Sequence, residues 1–211
     1  MYQEQENIFY YLTAYNENYT MPAMPQGRDV SNGILAGAYQ FEGDKPEACQ
    51  IQLLGSGSIM QQVLSARDKL QAMGFSVCIW SVTSYNELYR NAEECDRDNR
   101  LHPTRKARVP YVQSLFHDFD GVTVATTDYM KALPNSIARW MPDDYYVLGT
   151  DGYGRSESRP ELRRYFEISA DYVCHTALVG LLRRGEIDAK QLKTFSRDLD
   201  IDADKTNPMD H

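Results

Sequence analysis

The stretch from Gln50 to Val82 admits few folds. It opens on QIQLL, a short apolar strand, and GSGS at Gly55 to Ser58 turns the chain. Ile59, Val63, Ala66, Leu70 and Met73 then recur at helical spacing, and Gly74 supplies the stop. FSVCIWSV, Phe75 to Val82, is the next strand. A strand, a crossover helix and a second strand form a βαβ unit, which forces a parallel pair with a right-handed connection. Further strands at Val122 to Thr126 and Tyr145 to Leu148 alternate with helices, so the chain is predicted to be an α/β layered fold.

Around that unit the reading is coarser. IFYYLTAY, Ile8 to Tyr15, reads as a strand, and the turn-rich NENYTMPAMPQG after it as a linker. A strand with nothing upstream to pair with suggests a chain that begins inside a larger protein. Ile34 to Phe41 is a further candidate strand, ending at Gly43. Ser84 to Asn99 reads as a polar helix, Leu101 to Pro110 as a loop, and Tyr111 to Phe119 as a short strand or helix. A helix is expected from about Tyr129 to Trp140. Ser158 and Glu161 match the S-x-x-E capping pattern, with Pro160 in the first turn. Tyr172 to Arg184 is apolar on nearly every side and predicts a buried helix, closed by Arg183, Arg184 and Gly185. Asp188 to Leu199 is a last amphipathic helix before a polar tail.

Composition removes several function classes. The 211 residues suit one large domain, or one domain with extensions. A net charge of -8 argues against a nucleic-acid partner, which needs a basic surface. No apolar run is long enough to span a bilayer, and the acidic MYQEQENIFYYL is no signal peptide. Cys49, Cys78, Cys95 and Cys174 form no CxxC and have no histidine at zinc spacing. They are taken as reduced and intracellular, with Cys78 and Cys174 in the core. Fifteen tyrosines are many for this length and suit half-buried interface surface.

Partial motifs fail for identifiable reasons. GSGS would need a third glycine at Met60 and an acidic residue after WSVTS for a dinucleotide fingerprint, and has neither. Ser58 as a helix N-cap explains the same residues. Asp198, Asp200, Asp202 and Asp204 alternate like a calcium loop, but Ala203 and Met209 stand where glycine and glutamate are required. Glu93, Glu94 and Asp96 read as a solvated helix face. His175 reads as a hydrogen-bonded core residue, and His102 and His117 as loop residues without a telling partner.

The strongest candidate is LGTDGYGRSESR, Leu148 to Arg159. It follows the carboxyl end of a strand and precedes a helix, where open α/β sheets bind ligands. Its Asp151-Gly152 pair is similar to a thiamine diphosphate motif, but Thr150 replaces the first glycine and no Asn-Asn pair follows. No metal ligand set is present. Asp151, Arg155, Ser156 and Arg159 are therefore assigned as contacts to a partner surface or an anion, and no residue is assigned to catalysis, a cofactor or a metal.

Seven segments in order carry a wider resemblance: YYLTAYNENYTMPAMPQG, QLLGSGSI, SVTSYNEL, RLHP followed by RVPYV, TTDYMKALPNSI, VLGTDGYGRSESRPELRRYFE and IDADKTNP. From about Phe9 to Pro208 the chain closely resembles the C-terminal part of the homodimeric type of pyruvate dehydrogenase, a thiamine diphosphate-dependent first component of a bacterial complex. The resemblance implies a transketolase-like C-terminal domain: a three-layer α/β/α sandwich around a mixed, mostly parallel five-stranded sheet with one antiparallel strand. Residues 1–20 would be the end of a preceding pyrimidine-binding domain and a linker, and 21–211 the domain itself. The full enzyme would use thiamine diphosphate and magnesium to decarboxylate pyruvate and acetylate the lipoyl group of dihydrolipoyl acetyltransferase, in the cytoplasm. Both the cofactor and the metal would belong to domains outside this chain. This part would be inactive alone, supporting the homodimer and the other domains of its own chain. The rival reading is a stand-alone α/β module that holds an anionic ligand or regulator at Arg155 and Arg159.

Overall fold

The computed structural model describes residues 3–12, 14, 18–43, 45 and 48–210. A five-stranded sheet runs in the order β1-β3-β2-β4-β5, with β1 Ala38–Glu42, β2 Ile51–Gly55, β3 Val77–Val82, β4 Val122–Thr126 and β5 Tyr145–Leu148. The last four pair in parallel, and β1 pairs antiparallel to β3 with Ala38 opposite Val82.

The strands separate two apolar layers because alternate side chains leave opposite faces. Ile51 and Leu53 of β2, Ile79 of β3 and Val122 and Val124 of β4 pack beneath α2 (Met60–Ala72) and α7 (Ala170–Arg183). Leu54, Trp80, Val82 and Ala125 point the other way, onto α3 (Tyr85–Leu101), α4 (Tyr111–Phe116) and Ile137. Both faces of the central strands are covered, so β2 and β4 are buried at every position. One polar pair lies in this core: the Trp80 indole N–H donates to the Gln52 side-chain oxygen.

The expected βαβ unit stands as β2-α2-β3, with Val63, Ala66 and Leu70 fully buried and Gly74 at φ +96° after the helix. Other expectations are corrected. Ile34 to Phe41 is not one strand: α1 (Ser31–Ala36) precedes β1, and Gly37 at φ +108° separates them. The Asp29 carboxylate accepts from the Ser31 amide at 2.9 Å, and the Gly37 carbonyl accepts from Thr83 and Ser84, which fixes the turn. Of the two alternatives for Tyr111 to Phe119, the structure has the helix, α4, over Tyr111–Phe116. Ile8 to Leu12 forms no strand and is largely exposed, while Thr13 and Tyr15 lie outside the described residues.

The helix expected from Tyr129 to Trp140 is only α5 (Ala132–Asn135) and a 3-10 turn at Ala138–Trp140. It cannot begin at Tyr129, because Tyr129 to Lys131 bond to the loop after β5 instead: Thr150 N donates to Tyr129 O at 2.9 Å, and Lys131 N to Asp151 Oδ1 at 2.9 Å. In α6 (Arg159–Tyr165) the expected capping box is absent. The Ser158 amide is already taken by Glu157 Oε1 at 2.8 Å. The box forms instead at α8 (Ala189–Phe195), where Asp188 and Gln191 exchange bonds of 2.7 and 2.8 Å.

The cysteines are not all free. Cys49, just before β2, is bonded to Cys78 of β3, with Cα atoms 6.0 Å apart. Adjacent strands bring the two together across a sequence separation of 29, which no local spacing could announce. Cys95 and Cys174 remain buried thiols, and burial pushes Cys174 up to about 12.

Candidate functional site

The order of the strands creates a crevice. The chain leaves β2 toward α2 on one face and leaves β4 toward α5 on the other, so the β2 and β4 exits part at the carboxyl edge. Small polar residues fill this switch point. Ser56 Oγ donates to Thr127 Oγ1 at 3.0 Å, and Ser58 Oγ donates to Asp128 Oδ2 at 3.0 Å. Thr150, after β5, donates its hydroxyl to the Asp128 carbonyl at 2.6 Å. Ser58 is therefore no helix N-cap; α2 is preceded by a 3-10 turn, and the hydroxyl crosses to a partner 70 positions away.

Among the described residues, cavities open along this edge. One of about 400 Å³ lies between Met21 and Pro22 of the linker, Tyr39 and Phe41 of β1, and the ends of β2 and β3. A second, of about 170 Å³, is bounded by Ser58, Asp128 and Thr150 on one side and Arg159, Arg163 and Phe166 on the other. A third, of about 300 Å³, sits between Ser56, Ser84, Asn86 and Tyr129.

The four residues singled out from the sequence are not brought together. Asp151 turns inward: besides the Lys131 amide, its carboxylate faces the Lys131 ammonium at 3.8 Å. It acts as a remote cap on the turn before α5. Arg155 lies 5.1 Å over the ring of Tyr165, whose carbonyl accepts from Lys205 at 2.7 Å. Ser156 is exposed. Arg159 alone reaches the crevice, together with Arg163 one turn later, which the sequence reading passed over. Both donate to the Tyr19 hydroxyl, at 2.6 and 3.1 Å. The signal was present: Arg155 precedes α6, so helical i,i+4 spacing begins only at Arg159.

The arrangement offers hydrogen-bonding and charge, and among the described residues no nucleophile is poised on a base. Ser58 donates to a carboxylate, and the described histidines lie elsewhere: His102 against Asp98, His117 against Asp118, and half-buried His175 3.3 Å from Ser196 Oγ. Asp96 is more than a solvated acid, since it accepts from the Trp140 indole at 3.2 Å. Of the tail aspartates, Asp200 bonds Arg164 at 2.9 Å and Asp202 accepts from the Asp204 amide. A thiamine diphosphate–metal group does not fit the Asp151-Gly152 loop. The Asp151 carboxylate is committed to Lys131, and the loop backbone is packed on the carbonyl of Pro208.

A mixed five-stranded sheet with helices on both faces and a loop-built carboxyl edge defines an α/β domain of the three-layer class. Residues 37–169 match the family model described as the transketolase-like TK C-terminal domain, and the chain belongs to that family. Over 208 residues it is 47% identical to the pyruvate dehydrogenase E1 component of Escherichia coli K12, covering 98% of this chain and 23% of that protein. It is 44% identical over 213 residues to the Pseudomonas aeruginosa protein of the same name, covering 100% of this chain and 24% of that protein. The chain thus spans about a quarter of the length of these relatives. Among solved structures, a transketolase from Campylobacter jejuni superposes with a TM-score of 0.50 at 19% identity, over 74% of this chain and 20% of its own. A Pichia stipitis transketolase in complex with sedoheptulose-7-phosphate gives 0.53 at 15% identity, over 80% of this chain and 21% of its own. Both likenesses concern the fold alone.

Proposed function

We propose that this chain is the C-terminal domain of a pyruvate dehydrogenase E1 component, and that its own part is architectural. Residues 1–20 would be the end of a preceding domain with its linker, and 21–211 the domain proper. The observation that carries this reading is 47% identity sustained over 98% of the chain. The full protein would bind thiamine diphosphate and magnesium on its other domains, decarboxylate pyruvate, and pass the two-carbon unit to the lipoyl group of dihydrolipoyl acetyltransferase in the cytoplasm.

Two features support the architectural role. Phe9, Tyr11 and Leu12 are each more than 80% exposed, an apolar run that calls for cover by another domain or a second subunit. The linker that follows is fastened across the carboxyl edge. Tyr19 is held by Arg159 and Arg163, and the Thr20 carbonyl accepts from Gln61 at 2.8 Å. The edge that serves ligands in many α/β sheets would here orient the rest of the polypeptide.

Two measurements test this. The intact protein, given thiamine diphosphate and magnesium, should release carbon dioxide from pyruvate and behave as a dimer by light scattering. Titrating the 211-residue chain alone with the same cofactor should give no heat. Tight binding by the chain alone would overturn the non-catalytic role, and an intact protein inert toward pyruvate would overturn the substrate.

A further inference from the structure

Residues 97–108 are charged against the rest of the chain. They carry Arg97, Arg100, Arg105, Lys106 and Arg108 against one acid, Asp98, a net +4 inside a chain of net -8. Arg97, Arg100, Arg105 and Lys106 are exposed and have no acidic partner among the described residues. Arginines elsewhere do find carboxylates: Arg67 meets Glu42 and Asp68, Arg164 meets Asp200, and Arg184 meets Asp120, Asp144 and Glu186. Arg100 lies in the last turn of α3, where the negative end of the helix dipole favours a cation. Arg105 and Lys106 lie beyond the helix and have no such explanation.

The loop after α3 holds these cations on a fixed frame. The Asn99 side chain clips it at both ends of one peptide, donating to the Arg108 carbonyl at 2.9 Å and accepting from the Arg108 amide at 2.7 Å. The Arg108 guanidinium reaches back to Glu94 at 3.2 Å, and the Arg105 amide donates to the His102 carbonyl at 3.0 Å. Pro103 and Pro110 restrict the backbone further. These ties hold the main chain and leave Arg105 and Lys106 free, so a ligand has little of the loop left to order. Leu101 and Val109 stand at its two ends, 51% and 60% exposed. An arginine-bearing surface with apolar flanks has the composition of a protein interface. A duplex or an anionic lipid sheet is a poor occupant, because the excess negative charge of the remaining chain is repelled by any broad anionic surface. A short acidic segment meets the loop alone.

We propose that the end of α3 and the loop after it dock a short acidic segment of a partner protein. Its carboxylates take the guanidinium forks of Arg100 and Arg105 and the ammonium of Lys106, and its apolar side chains lie on Leu101 and Val109. The surface stands independently of whether the protein acts on pyruvate.

Fluorescence anisotropy of the intact protein with a labelled peptide, a run of glutamates between two leucines, tests it. The peptide should bind saturably at low salt and weaken steeply as ionic strength rises to about 0.5 M. The same peptide with glutamine for glutamate should bind at least about tenfold more weakly. Arg105→Glu combined with Lys106→Glu should also weaken binding at least about tenfold, since like charges then face each other. Lys190→Glu combined with Lys193→Glu, at exposed positions on α8, alters net charge equally and should leave binding unchanged. Leu101→Ser should weaken it severalfold. No saturable binding of the acidic peptide would overturn the proposal, as would equal binding of the glutamine peptide. An equal loss in the α8 pair would do the same, because net charge alone would then account for the effect. Sedimentation with phosphatidylserine vesicles by a protein that ignores the peptide would assign the loop to lipid and overturn it too.

Discussion

The two edges of the sheet are built by opposite means. At the amino edge the strands are tied by strong, specific links. Cys49 is bonded to Cys78 at the entry to β2 and β3, and Gln50 and Ser76 exchange bonds of 2.9 and 3.2 Å beside them. Arg184, just past α7, reaches Asp120 before β4 at 2.6 Å, Asp144 before β5 at 2.8 Å, and Glu186 at 2.6 Å. At the carboxyl edge no such clamp joins the strands among the described residues. Hydroxyls from Ser56, Ser58 and Thr150 bridge the exits, cavities lie between the loops, and Tyr129, Met130 and Tyr153 are exposed. The contrast separates holding the sheet from presenting a surface. An edge that carries the register can be locked, whereas one that meets ligands or other domains must keep loops that can move.

Breaking the amino edge should therefore give the largest losses of stability. In the chain-entropy picture, a crosslink over a separation of 29 residues contributes about 3.5 kcal/mol. Urea unfolding of the oxidised protein and of Cys49→Ser should differ by roughly this amount, and dithiothreitol should make the two coincide. A difference below about 1 kcal/mol would show that the other ties carry the edge. Arg184→Ala comes next. Asp120 is 91% exposed and loses little, but the side chains of Asp144 and Glu186 are only 26% and 29% exposed and lose a charged partner. A loss of about 2 kcal/mol is expected, with Arg184→Lys recovering part of it because one ammonium cannot reproduce the fork.

The same contrast explains what was legible in the sequence. The parallel core was legible because its signals are local: apolar runs for β2, β3 and β4, helical spacing in α2, and an apolar helix at α7. What joins the edges was not. Cys49 and Cys78, Ser58 and Asp128, and Arg184 and Asp120 are distant in sequence, and their pairing follows only from strand order. Ser58 shows the limit most clearly. Its residue type fits an N-cap, yet a half-buried carboxylate across the crevice takes the hydroxyl instead. The break before α5 is similar, because Asp151 from another loop takes the amide that a longer helix would have used. Near α6 the sequence sets Arg155 beside Arg159, although the helix that gives arginines a common face starts at Arg159.

A change at the carboxyl edge should be felt locally. Gly152 holds φ +97°, and a Cβ there would stand 2.3 Å from the Pro208 carbonyl oxygen. Gly152→Ala should cost about 1–2 kcal/mol, spent mostly in freeing the tail from the loop. Hydrogen exchange should rise in residues 149–154 and 207–210, while β2 and β4 keep their protection. Gly154→Ala, where a Cβ meets nothing within 4 Å, is the matched control and should change neither. Loss of protection spreading into the strands would mean that the carboxyl edge shares in holding the sheet.

The smallest effect belongs to the layer between the edges. Helix α7 ends at the Arg184 clamp, and His175 on it is half-buried, 3.3 Å from Ser196 Oγ. Burial lowers its pKa below the ordinary 6.5. The sign follows from which state binds the proton first. As pH falls through 6.5 the unfolded chain takes up a proton that the folded imidazole still refuses, so stability drops until the folded group also titrates. Above that range the ring is neutral in both states and contributes no pH dependence. One proton limits the slope to about 1.4 kcal/mol per pH unit, and partial burial should keep it well below that. Urea midpoints at pH 7.5, 6.5 and 5.5 for the protein and for His175→Gln isolate this share from that of the carboxylates. The variant should lose less stability on acidification; equal losses would mean that His175 takes its proton as readily in the folded layer as in the open chain.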